Sequence, residues 1–215
     1  MSRIRLIFSA LILFLLFNLI ACAQSGENIS AADEKVQQFL ENNRRSWQDM
    51  NVPYQDGQVL YDLIIKNNYT SALEIGTSTG HSTIWIAWAM SKTGGKVTTI
   101  EVNKSRHREA LENIREADLE KYVDARLADA HKLVKELNGP FDFVFSDADK
   151  DWYIQYFKDV SPKLETGGCF TAHNVLNGYG GTQEYLDYVG SLDNYETTID
   201  RSSSSGISIS FKKSE

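Results

Sequence analysis

Cysteine is nearly absent. The 215 residues hold two, Cys22 and Cys169, too few for a disulfide framework. Cys169 stands between Gly168 and Phe170 in an apolar segment, where a thiol is a small core hydrophobe rather than a nucleophile. Basic charge is also scarce: 22 lysines and arginines against 29 acids leave a net charge of −7. That is the wrong sign for tracking a phosphate backbone, so nucleic acid is not an expected partner. The one dense basic stretch, "KSRHR" at 104–108, reads as a solvated helix face. No internal repeat occurs, and the serine run after Arg201 is only long enough for a loop. The glycine patterns of dinucleotide and phosphate-binding loops are missing, which excludes a nicotinamide oxidoreductase and weakens any nucleotide-phosphate reading.

A single long apolar run exists, "LIFSALILFLLFNLI", preceded by the basic "MSRIR". Residues 1–23 therefore read as a secretory signal. Leu19-Ile20-Ala21-Cys22 resembles a bacterial lipobox, which would acylate Cys22, and Ala21-Cys22-Ala23 also satisfies the pattern for ordinary cleavage. An uncleaved anchor is the third option. Each places the domain outside the cytoplasm, as a periplasmic protein or membrane-anchored lipoprotein, with the membrane involved only through this segment. Residues 24–32 read as a tether and 33–215 as the domain.

Composition is ordinary for a globular protein, with 42% hydrophobic and 24% charged residues. After two helices, "DEKVQQFLENNRRSW" and "DGQVLYDLIIKNN", short apolar runs alternate with helical segments: "SALEI", "KVTTIEV", "YVDARLA", "FDFVFSD" and "GGCFTAH". This alternation predicts an α/β fold with a mostly parallel sheet covered on both faces. "YETTID" and "GISISFK" follow with no helix between them, which predicts an antiparallel pair at one edge.

"ALEIGTSTGHST" joins the first strand to its helix, where open α/β sheets bind ligands. Gly76 and Gly80 permit close backbone approach, and the following helix offers unpaired N–H groups. Glu101 ends the second strand, well placed to accept hydrogen bonds from both hydroxyls of a ribose. Glu74 and Asp129-Ala130 stand on the same rim. Together they describe a pocket for an adenosine-bearing ligand that needs no phosphate clamp, and S-adenosylmethionine is such a ligand.

From about Asn51 onward the chain resembles the class I methyltransferases, and more closely the cation-dependent O-methyltransferases that act on caffeoyl-CoA and catechols. "NVPYQDGQVL", "LEIGTSTGHST", "FDFVFSDADKDWY" and "GG…HNVL" carry the resemblance, in order and at similar spacing. It implies a Rossmann-like sheet of seven strands, S-adenosylmethionine as cofactor, a small hydroxylated acceptor and a homodimer built on the N-terminal helices. It also implies that Glu74, Gly76, Thr77, Gly80 and Ser82 line the methionine and ribose side. Glu101 would hold the ribose, Asp129 and Ala130 would lie by the adenine, and Asp149 would face the cofactor.

"SDADK" sets two carboxylates and a lysine at the end of the fourth strand. A phenol with a pKa near 10 is a poor nucleophile at neutral pH. A divalent cation lowers that pKa and fixes the oxygen, and a nearby lysine accepts the proton. Asp147 as ligand and Lys150 as base fit these roles, and the resemblance assigns them likewise. The family's other ligands are an adjacent Asp-Asn pair; here that pair is His173-Asn174. An imidazole in place of a carboxylate disfavours magnesium and suits manganese or another transition metal. Two outcomes stay open: a retuned metal site with Asp147, His173 and Asn174 as ligands, or no metal and His173 as a base. The competing class is an exported nucleoside-binding protein that has lost turnover. His81 opens the helix after the glycine turn, near the cofactor's surroundings, and reads as a local packing residue; His107 and His131 read as ordinary helix residues.

Overall fold

The computed structural model describes residues 30–47 and 50–214; the signal, the lipobox and most of the tether lie outside them. The first helix, α1 (Ala31–Asn42), begins two residues inside the expected tether, and its first turn is closed by the Ser30 hydroxyl, which accepts from the Asp33 N–H at 3.2 Å. It stops at Asn42 rather than at Trp47, because "NRRS" forms turns.

Every strand belongs to one compact unit, Lys35–Glu215. After α2 (Tyr54–Asn67) come β1 (Ser71–Ile75), α3 (His81–Thr93), β2 (Lys96–Glu101), α4 (Lys104–Glu116), β3 (Val123–Leu127), α5 (Ala130–Glu136) and β4 (Phe141–Ser146). The chain closes with α6 (Tyr153–Val160), β5 (Leu164–His173), α7 (Thr182–Gly190), β6 (Tyr195–Asp200) and β7 (Ile207–Lys212). The sheet has seven strands in the order β3-β2-β1-β4-β5-β7-β6. The first five are parallel, and β7 runs antiparallel to both β5 and β6. The expected pair therefore forms, with its second member inserted against β5.

Strand periodicity divides the core between the two faces. Phe143 and Phe145 of β4 enter one apolar cluster with Leu60, Ile84 and Trp85 from α2 and α3. Val144, between them, enters the other with Tyr153, Phe157 and Tyr185 from α6 and α7. Burial on both sides explains why the central strands read as apolar runs rather than alternating patterns. Among the described residues no helix is long and apolar enough to cross a membrane.

Two details depart from the sequence reading. Strand β5 starts at Leu164, before the expected "GGCFTAH" segment, because its register against β4 slips between Phe141↔Leu164 and Phe143↔Cys169. Gly168 sits in that slip, where a Cβ would come 2.8 Å from the Glu165 carbonyl. The segment after β4 is not one helix but a 3₁₀ turn (Lys150–Trp152), α6, and a second 3₁₀ turn holding Pro162.

Helices α2 and α3 approach closely at Gly57, where a Cβ would lie 2.2 Å from Trp85 Cδ1. Gly57→Ala overfills this contact, and a loss of about 1–3 kcal/mol in urea unfolding is expected. An unchanged midpoint would show that α2 can move aside freely.

Candidate active site

The strand order reverses between β1 and β4, and the carboxyl ends of the parallel strands open there, the usual ligand crevice of such sheets. A cavity of about 470 Å³ occupies this edge, within the ordinary range for small-molecule sites. Gly76, Ser78, Glu101, Asp129, Ala130, Asp147 and Asp149 are among its lining residues. The turn after β1 is tight: Gly76 has φ +103°, and a Cβ there would come 3.0 Å from the Asp147 backbone. Only glycine lets the two strand ends meet so closely.

Glu101 is 7% exposed and its carboxylate organises the rim. One oxygen accepts from the Ser78 N–H at 2.8 Å, the other from the Asn103 N–H at 2.7 Å. Each carboxylate oxygen accepts more than one bond, so this anchored group still has acceptor capacity toward the cavity. Asp129 caps α5 by accepting from the His131 N–H at 3.0 Å. The His131 ring, expected to be an ordinary helix residue, instead lines the cavity and stacks on Trp152 at 3.9 Å between centroids. Its Nε2 lies 3.4 Å from Asp149 Oδ2.

Four of the expected cofactor residues lie behind this wall. Glu74 is fully buried, with its Oε2 accepting from the Thr99 hydroxyl at 2.5 Å and from Thr83. Burial pushes its pKa up to about 7, against the hydrogen-bonding hydroxyls of Ser82, Thr83 and Thr99. Thr77 meets Thr99 at 2.5 Å, and Gly80 starts α3 with φ +98°. Glu74, Thr77, Gly80 and Ser82 thus support the turn and are not among the cavity's lining residues. His81 is structural, as expected: Nδ1 meets the Val52 carbonyl at 2.9 Å, the indole N–H of Trp85 donates to Nε2, and burial lowers its pKa to about 4.

At the end of β4, Lys150 Nζ donates to Asp147 Oδ1 at 2.8 Å. The other Asp147 oxygen lies 3.1 Å from Nδ1 of His173, the last residue of β5. Nε2 of the same ring is 2.7 Å from Asp56 Oδ2, which also accepts from the Ser203 hydroxyl at 2.8 Å. Burial alone would discharge the imidazole. The hydrogen bonds and opposite charges of Asp147 and Asp56 outweigh it and raise its pKa to about 9. Asn174 follows in the left-handed region with φ 59°, which asparagine tolerates.

This arrangement does not fit a divalent cation. Both nitrogens of His173 already face carboxylates, and Lys150 holds the remaining Asp147 oxygen. Asp56 escaped the sequence reading, although a signal existed: Asp56, Leu60 and Ile64 recur at i, i+4, i+8 and all three are buried. An acid on the buried stripe of a helix needs a partner.

The sequence pattern of the O-methyltransferase family matches residues 27–185. A caffeoyl-CoA O-methyltransferase from Medicago sativa is 30% identical over 139 residues, 62% of this chain and 56% of that protein. A catechol O-methyltransferase from Niastella koreensis is 39% identical over 108 residues, 48% of each chain. The chain thus spans about half the length of the curated relatives it matches. The crystal structure of the O-methyltransferase from Bacillus cereus in complex with SAH is 25% identical, has a TM-score of 0.73 and covers 91% of this chain and 97% of that one. Sheet order, glycine turn and the acid–lysine edge agree with a match that covers most of the sequence, and the chain belongs to the O-methyltransferase family.

Proposed function

We propose that this chain transfers a methyl group from S-adenosylmethionine to a hydroxyl of a small, catechol-like acceptor. The carrying observation is the placement of Glu101 on a 470 Å³ cavity whose wall also contains Asp147, the partner of Lys150. Bound S-adenosylmethionine supplies an electrophilic methyl group on a positively charged sulfur. Glu101 would accept from the ribose hydroxyls, and Ala130 and Tyr156 offer apolar surface on the same cavity. Asp129, Asp147 and Asp149 make the lining acidic, which suits a cation.

Lys150, when neutral, takes the hydroxyl proton of the acceptor. The ammonium it becomes is then held by Asp147 Oδ1, in the ion pair seen at 2.8 Å. The names of the relatives, caffeoyl-CoA and catechol O-methyltransferases, support an aromatic hydroxyl as the acceptor class. Residues 1–23 support an exported enzyme by their charge and apolar run.

Calorimetric titration with S-adenosylmethionine, followed by mass spectrometry after incubation with 3,4-dihydroxybenzoate, tests this reading. Saturable binding and a mono-methylated product are expected. Binding without product from any catechol would favour a nucleoside-binding protein, and no binding would overturn the proposal.

A further inference from the structure

Four ionisable side chains form one continuous row. Asp56 comes from the first turn of α2, His173 from the last residue of β5, and Asp147 and Lys150 from the edge after β4. The contacts along it are 2.7, 3.1 and 2.8 Å. Asp56 and His173 are 0% and 3% exposed, so water does not interrupt that end. Ionised carboxylates only accept hydrogen bonds, so a ring placed between two of them donates from both nitrogens. Such a ring carries one positive charge and has no lone pair to give a metal. The charges along the row then alternate, two negative and two positive, and sum to zero. A divalent cation would have to displace the Nδ1 proton, break the Lys150 contact, or both.

We propose that the His173 ring, clamped by Asp56 and Asp147, occupies the place where the family resemblance implies a divalent cation, and that this chain works without one. Asp56 is a positioning residue: it fixes His173, which holds one Asp147 oxygen and leaves the other for Lys150. Ser203 completes the clamp from the loop before β7. The inference rests on the proposed methyl transfer only where activity is measured; its metal-binding part stands independently.

The test uses the full-length protein and Mn²⁺ as probe, followed by electron paramagnetic resonance, together with ¹⁵N NMR of the His173 ring in metal-free and Mg²⁺-containing buffer. No saturable Mn²⁺ binding in the micromolar range is expected. Both ring nitrogens should show the protonated signature, unchanged by Mg²⁺, and catechol methylation should survive a chelator. His173→Asp, which creates an Asp-Asn pair, should gain Mn²⁺ affinity by about ten-fold or more, a typical scale for reshaping a ligand shell.

One Mn²⁺ bound per wild-type chain, weakened about 10–100-fold by Asp56→Asn, would overturn the proposal. Asp56 would then be the outer partner of a metal-bound histidine. An unprotonated ring nitrogen would overturn it equally, and neither measurement on the wild type depends on a variant folding. Absence of methylation under every condition would count against the proposed function and leave the metal result intact.

Discussion

Replacing Lys150 with methionine is expected to lower kcat for catechol methylation by about 10²–10⁴-fold, the usual contribution of a positioned proton acceptor. Methionine keeps much of the stem and removes the amine proposed to take the proton. Lys150 is not among the residues lining the cavity, so S-adenosylmethionine affinity should stay within about two-fold of the wild type. Lys150→Arg separates two roles. A guanidinium retains the pairing with Asp147 but does not deprotonate in proteins. If Lys150 works by accepting the proton, the arginine variant stays as slow as the methionine variant. If it only balances the charge of Asp147, arginine restores most of the rate, and the base must be sought elsewhere.

The parts legible in the sequence are those fixed by local pattern. Helix and strand alternation gave the parallel sheet, because a βαβ crossover buries both faces and leaves apolar runs such as "FDFVF". The carboxyl ends of β1, β2 and β4 gave the glycine turn, Glu101 and Asp147, because ligand sites in these sheets collect at strand ends. What stayed hidden depends on residues far apart in the chain. Asp56 and His173 are separated by 117 positions and meet only because α2 packs beside the end of β5. His131 and Trp152 likewise lie on different helical segments and stack only in the folded chain. The reading of Glu74, Thr77, Gly80 and Ser82 as lining residues misses depth: a residue of the turn motif can face the cavity or brace the turn from behind. Glu74 has no exposed surface and is held by threonine hydroxyls, so it braces.

The same structure explains why the metal motif is hard to read alone. His173-Asn174 suggests a ligand pair retuned for a softer cation. That conclusion depends on the imidazole having a free lone pair, and the deciding partner, Asp56, lies on another element. A histidine with one carboxylate neighbour and an open second nitrogen is a metal ligand in waiting. One with two carboxylate neighbours can donate from both nitrogens, and this is the state proposed for His173.

The second large effect belongs to Glu101. Glu101→Gln removes the charge while keeping the shape, and S-adenosylmethionine affinity should fall about a hundred-fold. Hydrogen bonds to a charged group are worth about 1.5–3 kcal/mol each, and 2.7 kcal/mol corresponds to that factor. The fold suffers as well. The glutamine carbonyl can serve only one of the two backbone donors now held at 2.8 and 2.7 Å, and its amide faces the other. An unsatisfied donor at this rim costs about 1–3 kcal/mol, visible as a lower Tm. In contrast to Lys150, kcat at saturating S-adenosylmethionine should remain close to the wild type, since ribose binding is the same before and during transfer. Calorimetry and steady-state kinetics on one preparation separate these quantities. A variant that binds S-adenosylmethionine as tightly as the parent would show that the carboxylate only anchors Ser78 and Asn103, and would remove the main support for a nucleoside in this cavity.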